Sequence, residues 1–343
     1  MAYPVRIRSS LTLRVGIWDR FQETILTKRS LHRGLPSRSF ATTLMLMNDL
    51  RIALAQMNCP VGALEANLDK HRALAEQAAT REAAAICFPE CSLTGYPRYD
   101  DVAMKEHAQT LDGPLARAMV ELSARSGILV LAGFIEAGDN CVYNTQIVAG
   151  SGELLGSYRK VHLCAPEAAF FAAGSDLPVW KYNRTTFGVQ ICFDNHFAEA
   201  ARVLALRGAE VIFCPYGSPG PCTEEGGDAK RARWLRYQPA RAFDNSMYLC
   251  VVNQVGATGY PPADDGDLKS KPEDTHCGVA EFPGGSMVIN PWGEVIAQAK
   301  AAAEDLLIVD LPAEPRQQKM QDKIQDFRRY RRPELYGDLT KDI

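Results

Sequence analysis

The chain has 343 residues, 46% of them hydrophobic and 23% charged, with a formal net charge of -3. Those fractions are those of a folded globular protein, and the small acidic balance gives no reason to expect nucleic acid as a partner. No apolar run is long enough to cross a bilayer, and the ten cysteines are too few for a disulfide scaffold of this length. Several of those cysteines sit in apolar settings, such as Ile86-Cys87-Phe88, Phe213-Cys214-Pro215 and Leu249-Cys250-Val251. That is the pattern of reduced thiols and favours a reducing compartment such as the cytoplasm. There is no CxxC pair, HExxH, GxxxxGK[ST] or GxGxxG, so metal and nucleotide sites have no motif behind them.

Residues 1–48 differ in composition from the rest of the chain. Arg6, Arg8, Arg14, Arg20, Lys28, Arg29, Arg33 and Arg38 outweigh Asp19 and Glu23, among many Ser and Thr. Three readings compete: an organelle transit peptide, which would redirect the protein to an organelle, a disordered tail, or a start assigned too far upstream of Met47. We treat 1–48 as an extension, 49–337 as one domain and 338–343 as a tail.

From Leu50 the pattern is regular. Leu50–Gln56 reads as a strand and Leu64–Thr80 as a helix with Leu64, Leu68, His71, Ala75 and Ala78 on one face, which makes His71 a packed core residue rather than a ligand. Ala84–Phe88 is a strand ending at Pro89-Glu90. Pro114–Arg125 is a helix, and Ile128–Glu136, Val142–Ala149 and Leu154–Arg159 are strands. Lys160–Gly174 is irregular. Phe187–Cys192 is a short apolar strand, and Phe197, Ala200, Ala201, Leu204 and Ala205 then give a one-faced helix, with Asp194 and Asn195 as its start signals. Val211–Pro215 is a strand and Lys230–Asn245 a helix kinked at Pro239. Met247–Asn253, Gly285–Asn290, Val295–Ala299 and Leu306–Asp310 are strands, Gly256–Thr275 is a loop fit for a lid, and Gln317–Tyr330 is a partly helical polar tail. Alternating strands and helices give an α/β fold. Helices on one face leave the other sheet face to be buried, which two packed sheets would do.

Three residues fall at strand ends. A thiol at Cys192, between strand and helix, would lie near backbone N–H groups and a positive helix end, which favour thiolate and oxyanion. A carboxylate at Glu90 would be partly desolvated, which raises its pKa toward the range of a general base. A cation at Lys160 would stabilise negative charge beside the thiol. Taken singly, each has a plain alternative: a buried cysteine, a turn-capping glutamate, a surface lysine. Together at one sheet edge, where α/β folds place sites, they suit acyl transfer through a thioester.

The segments around these residues resemble the signature of the nitrilase superfamily, the carbon–nitrogen hydrolases. FPECSLTGYP around Glu90 matches the glutamate motif, YRKVHL around Lys160 the lysine motif, and GVQICFDNHFAEAARVLALRGAEVIFCP from Gly188 the cysteine motif; FPGGSMVINPWGEVIA and RRPELYG resemble later family segments. The resemblance runs from about Leu50 to Gly337. It implies a four-layer α-β-β-α sandwich, assembly as a homo-oligomer, and no metal or organic cofactor. It further implies Glu90 as base, Lys160 as stabiliser of the tetrahedral intermediate, Cys192 as nucleophile, the Phe193 N–H in the oxyanion hole, and Glu167 as a second glutamate orienting the lysine. Tyr143 and Asn144 resemble a segment near the site. Asn195, His196, Tyr216 and Ser218 are candidates for the substrate end of the pocket, and Lys230, Arg231 and Arg233 for pairing with a substrate carboxylate, against the plainer reading of a solvated helix face. Asp194 after the cysteine, followed by F-x-E-x-x-R, looks like amidases and N-carbamoyl hydrolases, whereas nitrile-cleaving members tend to carry Glu there. A nitrilase and a non-catalytic scaffold of the same fold are the alternatives.

Overall fold

The computed structural model describes residues 47–96, 105–258 and 280–341. The extension assigned to 1–48, apart from its last two residues, and the lid expected within Gly256–Thr275, apart from its first three, lie outside the described residues. No helix among the described residues is long and apolar enough to cross a membrane.

Two six-stranded sheets form the centre. The first is built from β1 (Leu50–Gln56), β2 (Ala85–Cys87), β3 (Leu129–Ala137), β4 (Val142–Gly150), β5 (Glu153–Arg159) and β14 (Asp305–Leu311), in the order β14-β1-β2-β3-β4-β5. The second has the order β13-β12-β9-β8-β7-β6, from β6 (Val179–Tyr182), β7 (Thr185–Val189), β8 (Val211–Tyr216), β9 (Tyr248–Asn253), β12 (Met287–Ile289) and β13 (Val295–Gln298). In each, three central strands are parallel and the outer pairs antiparallel. A two-stranded ribbon, β10 (Val255–Thr258) with β11 (Ala280–Pro283), stands beside them.

Strand alternation divides the core. Ile52, Leu54, Cys87, Leu129 and Leu131 of the first sheet meet Phe187, Val189, Phe213, Cys250 and Val252 of the second. The intervening Ala53, Ala55, Ile86, Val130 and Ala132 turn outward onto α1 (Leu64–Thr80) and α2 (Pro114–Ser126), through Leu68, Ala75, Ala78, Leu115, Met119 and Leu122. On the second sheet Ile212, Cys214, Leu249 and Val251 pack against Ala201, Leu204 and Ala205 of α3 (Ala198–Leu206), Trp234 of α4 (Glu224–Trp234) and Ala242 of α5 (Gln238–Asn245). The result is the α-β-β-α sandwich, closed at the C-terminal side by α6 (Glu314–Gln321).

Three local readings change. The helix expected over Lys230–Asn245 is two helices, α4 and α5, broken at 235–237, with Pro239 in the first turn of α5, where it has no N–H to lose. The strand expected to reach Cys192 ends at Val189, and Cys192–His196 is a 3-10 turn, so α3 begins only at Ala198. Asp194 and Asn195 therefore belong to that turn and do not cap the helix. The strand β6 has no clear sequence signal, because VWKY is short and mixed.

His71 lies wholly in the core. Its neutral ring donates from Nδ1 to the Asn67 carbonyl at 2.7 Å and accepts at Nε2 from the Ser92 hydroxyl at 2.9 Å. Burial pushes its pKa down to about 4. As pH falls from about 6.5 to 4 the unfolded chain takes up a proton at this residue that the native ring refuses, so His71 removes up to about 3 kcal/mol of stability across that window. Urea midpoints measured from pH 7 to pH 4 should fall less steeply in His71→Gln than in the unsubstituted protein; parallel slopes would contradict this.

Candidate active site

The site assembles where both sheets present their strand ends. Glu90 follows β2, Lys160 follows β5, Cys192 follows β7, and Gly217 follows β8. The Glu90 loop is pressed against β3: a Cβ at Gly133 would sit 2.4 Å from the Cys91 nitrogen, so only glycine fits there. Ser92 accepts from the Gly133 N–H at 3.3 Å while bonding His71, which ties the loop to α1.

Glu90 is fully buried and its carboxylate accepts three hydrogen bonds. Oε1 accepts from Lys160 Nζ at 2.8 Å and Asn144 Nδ2 at 2.7 Å, Oε2 accepts from the Gly217 N–H at 2.6 Å, and the Cys192 thiol lies close enough for its charge state to feel the same carboxylate. Lys160, 1% exposed, donates also to Glu167 Oε1 at 2.6 Å. Glu167 is held in turn by the Tyr96 hydroxyl at 2.6 Å and the Cys164 N–H at 3.1 Å.

Electrostatics follow from burial and from this sharing. Burial raises the Glu90 pKa, with the Lys160 charge only partly opposing it. Burial also works against Glu167, but Lys160 and its hydrogen bonds prevail and hold that carboxyl below its ordinary value. Lys160 is desolvated too, yet Glu90, Cys192 and Glu167 keep its pKa well above normal. Cys192 is pushed well above the usual thiol range by burial and then by Glu90, against the pull of Lys160. At rest the site holds a thiol, an ammonium and two carboxyl groups, close enough to one another to set each other's charge.

The turn bearing Cys192 is strained and braced. Cys192 has φ +44°, in the left-handed region, as does Cys91 beside Glu90 at φ +50°; each conformation costs about 1–2 kcal/mol in a residue with a Cβ. Asp194 is the brace. Its buried carboxylate accepts from the Ile191 N–H at 2.9 Å, the Tyr158 hydroxyl at 2.7 Å, and the His162 N–H and Nδ1–H, both at 2.8 Å. Tyr158 and His162 flank Lys160 at two-residue spacing, so one side chain joins the lysine strand to the cysteine turn. The Phe193 N–H, next to Cys192, has no hydrogen-bond acceptor among the described residues.

The remaining sequence candidates divide. Asn144 meets Glu90, but Tyr143 is on the opposite face of β4, where its ring lies 4.0 Å from the Arg159 guanidinium; strand alternation corrects its assignment to the substrate pocket. Asn195 is buried and its amide donates to the Gln190 and Cys192 carbonyls, so it closes the turn and does not reach out to a ligand. Tyr216 lies under Trp234 with ring centroids 4.7 Å apart, and its hydroxyl accepts from Gln238 Nε2. Ser218 accepts at Oγ from Lys230 Nζ at 3.0 Å, and its N–H is fixed by Asn253 Oδ1 at 2.9 Å. His196 is exposed at the rim. Sequence reasoning missed Tyr96, the Gly217 N–H, Asn253, and Gln254, whose Nε2 donates to the Glu90 carbonyl at 2.7 Å. Tyr96 lies within the glutamate motif; the others carry no local signal. Among the described residues no cluster of His, Cys, Asp and Glu could hold a metal ion.

The carbon–nitrogen hydrolase profile matches residues 51–319. A nitrilase of Pyrococcus abyssi is 28% identical over 84% of this chain and 99% of its own. Omega-amidase NIT2 of Danio rerio is 31% identical over 77% of this chain and 89% of its own. The crystal structure of a carbon–nitrogen hydrolase from Helicobacter pylori, 22% identical, superposes with a TM-score of 0.73 over 86% of this chain and 99% of that one.

Proposed function

The chain belongs to the carbon–nitrogen hydrolase family, and from that premise we propose that it hydrolyses a linear amide or N-carbamoyl compound through a thioester on Cys192. The observation that carries the reading is the buried Glu90–Lys160–Glu167 cluster drawn up against the Cys192 thiol. Glu90 takes the thiol proton as Sγ attacks the substrate carbon. Negative charge then develops on the substrate oxygen, for which Lys160 Nζ and the Phe193 N–H are the donors at hand. Glu90 returns the proton to the departing nitrogen, ammonia leaves, and an acyl- or carbamoyl-thioester remains. Glu90 next deprotonates a water that attacks the thioester, and the acid and the thiol are released. General-base assistance of this kind is worth ~10²–10⁴-fold.

Of the two relatives named above, one is called a nitrilase and the other an omega-amidase. Asp194 inclines the reading toward amide and carbamoyl carbon, in line with the resemblance drawn from the sequence. The raised Glu90 pKa suits a group that gains and loses a proton each cycle, and the depressed Glu167 suits a fixed counter-charge for Lys160. We place the enzyme in solution as a homo-oligomer, the assembly that the resemblance implies.

The test is ammonia release from a panel of amides, N-carbamoyl amino acids and nitriles by the unsubstituted protein and by Cys192→Ala. Release that disappears in the variant, while its thermal unfolding remains cooperative, is the expected result. Equal release by both proteins would remove Cys192 as the nucleophile.

A further inference from the structure

The chain that carries Glu90 leaves its sheet just before it. β2 ends at Cys87, Phe88 still donates to the Leu131 carbonyl at 2.8 Å, and Pro89 has no N–H to give. The carbonyls on either side of Pro89 are held by two glutamine amides. Gln146 Nε2, from β4 of the first sheet, donates to the Phe88 carbonyl at 3.2 Å. Gln254 Nε2, directly after β9 of the second sheet, donates to the Glu90 carbonyl at 2.7 Å. Both glutamines are fully buried, and in both Oε1 has no donor among the described residues. A buried acceptor left unpaired costs stability, and an apolar side chain of the same length has none to leave. Packing alone therefore does not account for either amide.

The two differ in what they join. Gln146 ties the loop to the sheet from which it springs. Gln254 ties it to the other. β8 and β9 are parallel neighbours paired as far as Tyr216 and Asn253, so Gly217 and Gln254 are the first residues past their ends, and the Gln254 N–H donates to the Tyr216 carbonyl at 3.3 Å. Gly217 holds Glu90 Oε2 and Gln254 holds the Glu90 carbonyl, so side chain and main chain of this residue are both fixed to the second sheet. A Cβ at Gly217 would lie 3.2 Å from Glu90 Oε2 and 3.5 Å from Gln254 Nε2, which puts the amide close beside the carboxylate. Cys192 follows β7 of the same sheet. Gln254 is itself anchored: its carbonyl accepts from the Gly284 N–H at 3.0 Å, and Asn253 before it donates from Nδ2 to the Ser218 and Gly284 carbonyls at 3.2 and 2.8 Å.

We propose that Gln254 is a positioning residue for the general base: its amide fixes the main chain of Glu90 to the sheet that carries Cys192, and so sets the separation across which the thiol proton moves. The proposal rests on the hydrolase reading above and deepens it by one residue that touches neither the thiol nor the ammonium.

The experiment compares Gln254→Met with Gln146→Met. Each keeps the side chain's length, removes one donor to a carbonyl beside Pro89 and removes one unpaired acceptor, so their urea midpoints should fall by similar amounts. On the substrate that the panel identifies, and per folded protein, Gln254→Met should lower kcat toward 10²-fold, the effect of a misplacement of about 1 Å. KM should stay within roughly twofold, since the ground-state contacts remain. Gln146→Met, which leaves the tie to the second sheet in place, should lower kcat far less. Gln254→Asn, polar but one methylene short of the Glu90 carbonyl, should reproduce the fall seen with Met. Equal falls in kcat for Gln254→Met and Gln146→Met, or a raised KM at unchanged kcat, overturn the proposal. Failure of both Gln254 variants to fold would make the residue a support of the fold and overturn it too. Should no compound in the panel release ammonia, the hydrolase reading fails for that panel, and the positioning is read without substrate from the rate at which iodoacetamide alkylates Cys192, followed by the mass of its peptide. A base held within the thiol's reach speeds that reaction. Slower alkylation in Gln254→Met than in Gln146→Met supports the proposal; an equal or faster rate overturns it.

Discussion

Replacing Lys160 with Met should cost the protein both its activity and several kcal/mol of stability. Lys160 Nζ is the shared donor to Glu90 and Glu167, and all three side chains are buried. Met keeps the unbranched volume and removes the charge. Two carboxyl groups are then left facing each other without a counter-ion, and breaking a buried pair by deleting one partner typically costs about 3–5 kcal/mol. The lost oxyanion donor should lower kcat by roughly 10²–10³-fold. The pH dependence identifies the cause. Without Lys160 the native pKa values of Glu90 and Glu167 rise above their unfolded values. The native variant then binds more protons than its unfolded chain, so its stability increases as pH falls toward the native pKa values and declines as pH rises through them. Urea denaturation of Lys160→Met at pH 8 and pH 5.5 should show the higher midpoint at pH 5.5. A midpoint that does not move would mean that the carboxyl pair is not held as described.

The second large effect is expected at Asp194, which makes no claim on the chemistry. Asp194→Ala removes the acceptor of the Ile191 N–H, the Tyr158 hydroxyl and both His162 donors at once. Unsatisfied buried donors cost about 1–3 kcal/mol each before relaxation, so a total loss near 3–5 kcal/mol is expected. The turn that holds Cys192 at positive φ also loses its tie to the lysine strand. A displacement of about 1 Å between thiol and ammonium is enough for a 10²-fold fall in kcat. Asp194→Asn retains one acceptor oxygen and should fall between the two proteins in both measures. If Asp194→Ala unfolds at the same urea concentration as the unsubstituted protein, the brace is not structural; if it is destabilised but turns over normally, the turn is held by other contacts.

The sequence and the structure agree best where periodicity and position carry the information. Leu50–Gln56 and Leu64–Thr80 are read to the residue, because one is a short apolar run bounded by polar residues and the other a long one-faced helix. The Glu90, Lys160 and Cys192 segments are legible through three motifs that together resemble the family's signature, since strand-end position alone leaves each with a plain alternative. Boundaries failed where tertiary contacts override local pattern. Phe187–Cys192 reads as one strand, but the last backbone bond to β8 is from the Gln190 N–H to the Phe213 carbonyl, and a 3-10 turn takes over at Cys192. Tyr143 and Asn144 read as a unit, yet alternation sends them to opposite faces. The Gly217 N–H could not be inferred at all, since a backbone donor carries no residue signal and becomes a contact only when β8 ends beside Glu90.

A buried cluster of two carboxylates and one ammonium carries one net negative charge while Cys192 remains a thiol. Moving the thiol proton to Glu90 relocates that charge and leaves its sum unchanged. Attack on the substrate carries it onward to the oxygen, still within reach of the same ammonium. The pocket therefore meets the full solvation penalty of its ions once, when the chain folds, and the water around the protein has no reorganising to do as the first bond forms. Fixed dipoles and a shared cation can be arranged in advance only for a charge whose total does not change, which makes the depth of the cluster compatible with turnover.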